Sequence, residues 1–194
     1  MQNVNTSIKS QLVGKQIEDI KKIDEIMIEM DGTENKSHLG ANAMLGVSLS
    51  CLKAFSDFQN MNLYEYIAFI TNTKKLSMPV PMMNILNGGS HADNNVDIQE
   101  FMIYPSGLES FSKALQCGCE VFFQLKKVLK QKNYNTAVGD EGGFAPNLRS
   151  NQEALDLLSE SVEKSGYALG KDVFFTLDVA ASELFQNEHK YQKH

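Results

Sequence analysis

Lys74-Lys75-Leu76-Ser77-Met78-Pro79-Val80-Pro81-Met82-Met83-Asn84-Ile85-Leu86-Asn87-Gly88-Gly89 is the stretch on which the fold turns. Its first half cannot extend a helix, because prolines lack an N–H and push the preceding residue into extended geometry. From Val80 to Leu86 the chain is mostly apolar and closes on a turn-forming Asn-Gly-Gly, so it reads as a strand. A domain boundary falls here, between residues 1–77 and residues 78–194.

Upstream the chain reads as helices. Ile17, Ile20, Ile23, Met27 and Met30 recur at helical spacing and stop at Asp31-Gly32. Ala41, Met44, Leu45, Leu49, Leu52 and Phe55 form a second stripe, and Leu63, Ile67 and Ile70 a third behind Asn62. All three stripes are expected to be core.

Downstream, Phe101 to Tyr104 is a second strand, ended by Pro105-Ser106-Gly107. Ser110 caps a long helix through Phe111, Leu115, Val121, Phe122, Leu125 and Leu129. Lys126, Lys127 and Lys130 sit in its last turn, which suits the negative end of the helix dipole and makes a solvated helix end. Another helix opens at Asn151 and runs through Leu155, Leu158 and Val162 to Gly166. Val173 to Leu177 is a third strand, an apolar run of the kind buried on both faces.

Composition sets the background. The 194 residues are 42% hydrophobic and 22% charged, with a net charge of −6. That balance suits a folded domain and disfavours a general nucleic-acid binder. No apolar run approaches the roughly 18 residues of a membrane span, and the N-terminus lacks a signal-peptide pattern. A cytoplasmic protein is the expectation. Cys51, Cys117 and Cys119 have no metal-type spacing and are expected to be buried or inert thiols.

The order after the boundary is β, β, α, α, β. If the first two strands are antiparallel neighbours, three polar segments meet at one rim of the sheet. They are Ser90 to Asn95, Gly139 to Gly143, and Asp178, with Gln99 and Glu100 opening the second strand. Barrel-type folds build their sites at such strand ends. Each residue also has an ordinary reading. His91 could be a plain loop histidine, Glu141 a surface turn, Asp178 a cap, and Gln99 with Glu100 edge polar groups. The residues by themselves reach an acidic rim that could take a divalent cation, and no reaction.

Longer motifs go further. Asp31-Gly-Thr-Glu-Asn-Lys-Ser and Leu39-Gly-Ala-Asn-Ala-Met-Leu-Gly-Val-Ser-Leu lie before the boundary. Pro79-Val-Pro-Met-Met-Asn-Ile-Leu-Asn-Gly-Gly-Ser-His-Ala-Asp-Asn-Asn-Val-Asp-Ile-Gln-Glu-Phe-Met-Ile lies just beyond it. Asn135-Thr-Ala-Val-Gly-Asp-Glu-Gly-Gly-Phe-Ala-Pro-Asn-Leu and Leu177-Asp-Val-Ala-Ala-Ser-Glu follow. Through these the chain resembles enolase (phosphopyruvate hydratase), from Asn3 to Tyr191.

The resemblance implies an α/β fold, the first part of a TIM-type barrel in ββαα order. Before it would come the helical part of a small α+β N-terminal domain. It implies the magnesium-dependent, glycolytic dehydration of 2-phosphoglycerate to phosphoenolpyruvate. This superfamily's use of a lysine or histidine base with magnesium on the ene-diolate is borrowed from the family, not read from these residues. Glu141 would be the proton donor to the departing hydroxyl, His91, Gln99 and Glu100 would bind substrate, and Asp178 would ligate Mg2+. The family is usually a homodimer. The chain is expected to be an internal piece, less than half the family's length, without the lysine base, the further acidic ligands and the phosphate-holding cations. Alone it is expected to be inactive and to fold poorly or associate. The competing reading is a non-catalytic remnant or interaction module.

Overall fold

A computed structural model describes residues 1–15, 19–186 and 190–191, which fall into two units, Met1–Ser77 and Met78–His194. The first unit is helical. A π-helical turn at Val4–Ile8 runs into α1 (Lys9–Leu12), followed by α2 (Ile20–Asp31), α3 (Ala41–Phe58) and α4 (Leu63–Ile70). Asp19 caps α2 by accepting from the Lys21 N–H, and Gly32 ends it with φ 65°, a backbone that favours glycine. The Asp31 carboxylate is buried and accepts from the N–H groups of Leu39 and Thr33, tying the end of α2 to the start of α3. Burial pushes that carboxyl up, but these hydrogen bonds outweigh it and hold it below the usual carboxylate range.

Ile23 and Met27 are buried as their stripe requires, whereas Ile17 lies outside the described residues. The other two stripes differ from expectation. Met44 and Phe55 of the expected stripe pack, but Leu45 and Leu49 are exposed, and Val47 and Cys51 pack in their place. That helix is apolar on two faces, and α2 takes the second of them. On α4, Leu63, Ile67 and Ile70 are exposed while Tyr66 is buried against Phe55, ring centroids 6.4 Å apart. The first helical segment carries no stripe strong enough to read, yet its Ile8 is fully buried.

In the second unit, β1 (Met83–Asn87), β2 (Glu100–Tyr104) and β3 (Phe174–Asp178) form a three-stranded sheet in that order. Both pairings are antiparallel. Pairing starts at Met83 rather than Val80, since Pro79 and Pro81 have no N–H to contribute. Between β2 and β3 run α5 (Phe111–Gln131) and α6 (Asn151–Lys164), capped by Ser110 and Ser150. Phe101 and Ile103 of β2 meet Val121, Leu125, Leu158 and Val162 in one core. Each such burial contributes roughly 1.5–3 kcal/mol.

The seam of α5 differs from the expected one. Val121, Leu125 and Leu129 are buried as expected, but Phe111 and Leu115 are exposed, and Ala114, Cys117 and Gly118 are buried in their place. Small residues win because the approach is close: a Cβ on Gly118 would run into the Met83 thioether. Burial, reinforced by Glu120, pushes the Cys117 thiol up to about 11, so it is inert. Cys51 is half-buried and Cys119 exposed.

β3 is not buried on both faces. Phe174 and Leu177 are exposed, because no strand among the described residues pairs with its outer edge. Beyond it, β4 (Phe185–Gln186) pairs antiparallel with β5 (Lys190–Tyr191). The second unit is thus mixed helix and sheet rather than a closed barrel.

Candidate active site

The sheet register assembles the rim. Asn87 pairs with Glu100, and Glu100 pairs with Asp178, so the last residue of β1, the first of β2 and the last of β3 lie in one row. His91 ends a short 3-10 turn, Gly89–His91, directly after β1. Its Nδ1 lies 3.3 Å from Glu100 Oε1, with both side chains largely buried. The pair is close but misaligned, leaving His91 Nδ1 without a hydrogen bond. Gln99 is oriented from the same loop, its Oε1 accepting from the Ser90 hydroxyl at 2.9 Å. The Asp178 Oδ1 accepts from the Ala180 N–H at 3.0 Å, and Ala180 has φ 48°, a strained backbone for a residue with a Cβ.

Glu141 sits in the glycine-rich loop. Gly139 N–H donates to Gly143 O at 2.8 Å and Gly142 N–H to Gly139 O at 3.1 Å, closing the turn. The Asp140 N–H donates to His91 O at 3.1 Å, which docks this loop on the histidine loop. Phe144 then crosses to β1, giving its N–H to Ile85 O and receiving the Asn87 N–H, and its ring stacks on Phe122 at 4.3 Å. Glu153 binds both ends of the segment. It accepts from Tyr134 OH and from the Arg149 backbone N–H, each at 2.7 Å. The Glu141 carboxylate is exposed and has no hydrogen-bond or ion-pair partner among the described residues.

All of the sequence-derived candidates therefore share one rim. His91, Gln99, Glu100 and Asp178 come together through strand register, and Glu141 arrives on the loop docked against His91. The asparagines that do this docking were missed. Asn94 Nδ2 donates to Asn87 O and Pro146 O, and Asn95 exchanges two hydrogen bonds with Leu148. Asn151 donates to Asp97 and accepts the N–H groups of Asp97 and Ile98. The available signal was the density of asparagine around the Asn-Gly-Gly turn, where short amides can bind main chain.

Two family models match the chain. One, the enolase C-terminal TIM barrel domain, matches residues 75–194, and the other, the enolase N-terminal domain, matches residues 1–67. The chain belongs to the enolase family. Enolases are generally magnesium-dependent lyases. Asp178 offers a hard oxygen of the kind magnesium takes, but the cation demands near-octahedral oxygen coordination. Among the described residues no group of three or more His, Cys, Asp or Glu could hold a metal. The donor set present does not by itself fit a magnesium site.

Proposed function

We propose that this chain carries the proton-donor side of an enolase active site, acting on 2-phosphoglycerate within a completed barrel. In this reading the three strands and two helices open a TIM-type barrel in ββαα order. The observation that supports it is the single rim on which Glu141, His91, Gln99, Glu100 and Asp178 meet, in a chain of this family.

Glu141 gives its proton to the hydroxyl on the third carbon as the carbon–oxygen bond breaks, and water leaves. Such a donor must be kept out of water to stay protonated, and bound substrate with the completed barrel provides that cover. His91 and Glu100 line the substrate beside it, and Gln99, oriented by Ser90, contacts it. Placement of these groups before reaction removes reorganisation from the barrier. Proton abstraction from the second carbon needs a base from outside these elements, and the rim segments 88–100, 137–148 and 178–186 contain no lysine or arginine. Asp178 would hold magnesium together with oxygen ligands from the completed barrel, where the cation would stabilise the negative charge that develops on the substrate. As in the family generally, the completed protein is a homodimer.

The missing base and cations on the rim also favour a second reading, a non-catalytic remnant. Co-expression with the remaining barrel portion of an enolase separates the two. Phosphoenolpyruvate formation in magnesium above that of either part alone supports the first reading, and a folded, inactive complex supports the second.

A further inference from the structure

Of the contacts that lace the two rim loops together, those of Asn94 and of Gly143 meet at Asn87, a residue with no part in the chemistry of the site. Asn87 is fully buried at the end of β1. Its Oδ1 accepts from Asn84 Nδ2 at 2.5 Å, and its Nδ2 donates to Gly143 O at 3.4 Å. Its main-chain N–H donates to Phe144 O, and its main-chain oxygen accepts from Asn94 Nδ2, both at 2.9 Å. One residue thus grips the His91 loop through Asn94 and the Glu141 loop through Gly143 and Phe144. The carboxamide is anchored by Asn84 of its own strand and reaches the Glu141 loop at Gly143, while the main-chain oxygen holds the His91 loop through Asn94.

The glycines around it are there for space. A Cβ on Gly139 would lie 2.5 Å from Asn87 Nδ2 and 2.6 Å from His91 O. A Cβ on Gly143 would lie 2.9 Å from the Ile85 carbonyl carbon and 3.0 Å from Asn87 Oδ1. Neither glycine has a left-handed backbone, so close approach alone calls for them. The Glu141 loop is wrapped on the Asn87 side chain as tightly as main chain allows.

We propose that Asn87 is a positioning residue that fixes the spacing between the Glu141 loop and the His91 loop before substrate arrives. It touches no reacting atom; its side chain acts through Gly143, and its main chain through Asn94 and Phe144. The proposal rests on the reading of Glu141 as proton donor, but its test does not. Amide hydrogen exchange and imidazole resonances are measured by NMR on the full 194-residue chain, without substrate or metal and at concentrations where light scattering shows no self-association. Asn87→Leu keeps the bulk and loses both side-chain hydrogen bonds, while Gly139→Ala intrudes from the opposite side.

Both variants should raise exchange at Asp140 and Gly142 by about tenfold or more and shift the His91 resonances. Val121, Leu125 and Leu158, in the helices, should stay within about twofold of their original rates. Unchanged loop exchange would overturn the proposal. So would loop and helix amides accelerating together, the mark of a residue that serves only general stability. If Asn87→Leu does not fold, Asn87→Asp, which keeps the acceptor for Asn84 and loses the donor to Gly143, carries the same test. A co-expressed complex that retains loop protection yet forms no phosphoenolpyruvate would refute the enolase reading and leave this clamp intact.

Discussion

Truncating Glu153 to alanine should release both ends of the Glu141-bearing segment and lower the stability of the second unit by about 2 kcal/mol. The carboxylate accepts from Tyr134 OH at 2.7 Å, from the Arg149 N–H at 2.7 Å, and from the Arg149 guanidinium at 2.7 and 3.1 Å. Hydrogen bonds to a charged acceptor contribute roughly 1.5–3 kcal/mol each when shielded. The Glu153 side chain is 12% exposed but that of Arg149 is 86% exposed, so the guanidinium pair adds about 0–1 kcal/mol. The shift in protonation sets a tighter limit. The Arg149 side chain first, with its backbone N–H and Tyr134, lowers the carboxyl from 4.5 to about 2 against the opposing effect of burial. At about 1.4 kcal/mol per pH unit that displacement caps the contribution near 3.5 kcal/mol, and exposure of Arg149 reduces it to about 2.

Because the folded group titrates below its unfolded value, the stabilisation is complete above pH 4.5 and is lost as pH falls towards about 2. Urea unfolding by circular dichroism is the assay. With a slope near 2 kcal/mol per molar, Glu153→Ala should bring the midpoint down by about 1 M at neutral pH, and the gap should close on acidification. A midpoint that moves by less than about 0.2 M, or a gap that persists at the acid end, would refute the reasoning.

Phe144→Ala removes a fully buried ring stacked on Phe122 and should cost about 3–5 kcal/mol in the same unfolding assay, far more than truncating exposed Phe123. Calorimetry of the isolated chain with magnesium chloride should show no stoichiometric site of micromolar affinity, and such a site, lost in Asp178→Asn, would contradict the donor set described above. The chain alone should self-associate with rising concentration in light scattering, because the outer edge of β3 and the exposed Phe174 and Leu177 lie open. A monodisperse monomer would count against that expectation.

What could be read from sequence follows from how local each signal is. Prolines and glycines act on their own backbone, so the break at Pro79 and Pro81, the stop at Gly32 and the cap at Ser110 sit where the residues say. With β1 and β2 taken as antiparallel neighbours, one ascending and one descending helix between β2 and β3 return the chain to the same end, which puts Glu100 and Asp178 on one rim, and they pair there. The buried face of a helix is a different kind of fact. α3 offers two apolar faces, and only the partner helix decides that Val47 and Cys51 pack while Leu45 and Leu49 do not. In α5, large apolar residues drew attention away from Gly118, whose missing side chain permits the close packing. The asparagine lacing was hidden because Asn87 and Gly143 are joined by tertiary approach across many residues, not by spacing in the chain.

The sharpest test of the functional reading is the turnover of Glu141→Gln in the complex formed with the remaining barrel portion, compared with the unaltered complex under the same magnesium and 2-phosphoglycerate. Glutamine keeps the size and polarity of the side chain but cannot give up a proton. We expect phosphoenolpyruvate formation to fall by roughly 10²-fold or more, the scale of general acid catalysis, with substrate binding changed far less. A folded Glu141→Gln complex that turns over at near its original rate would contradict the assignment of Glu141 as proton donor.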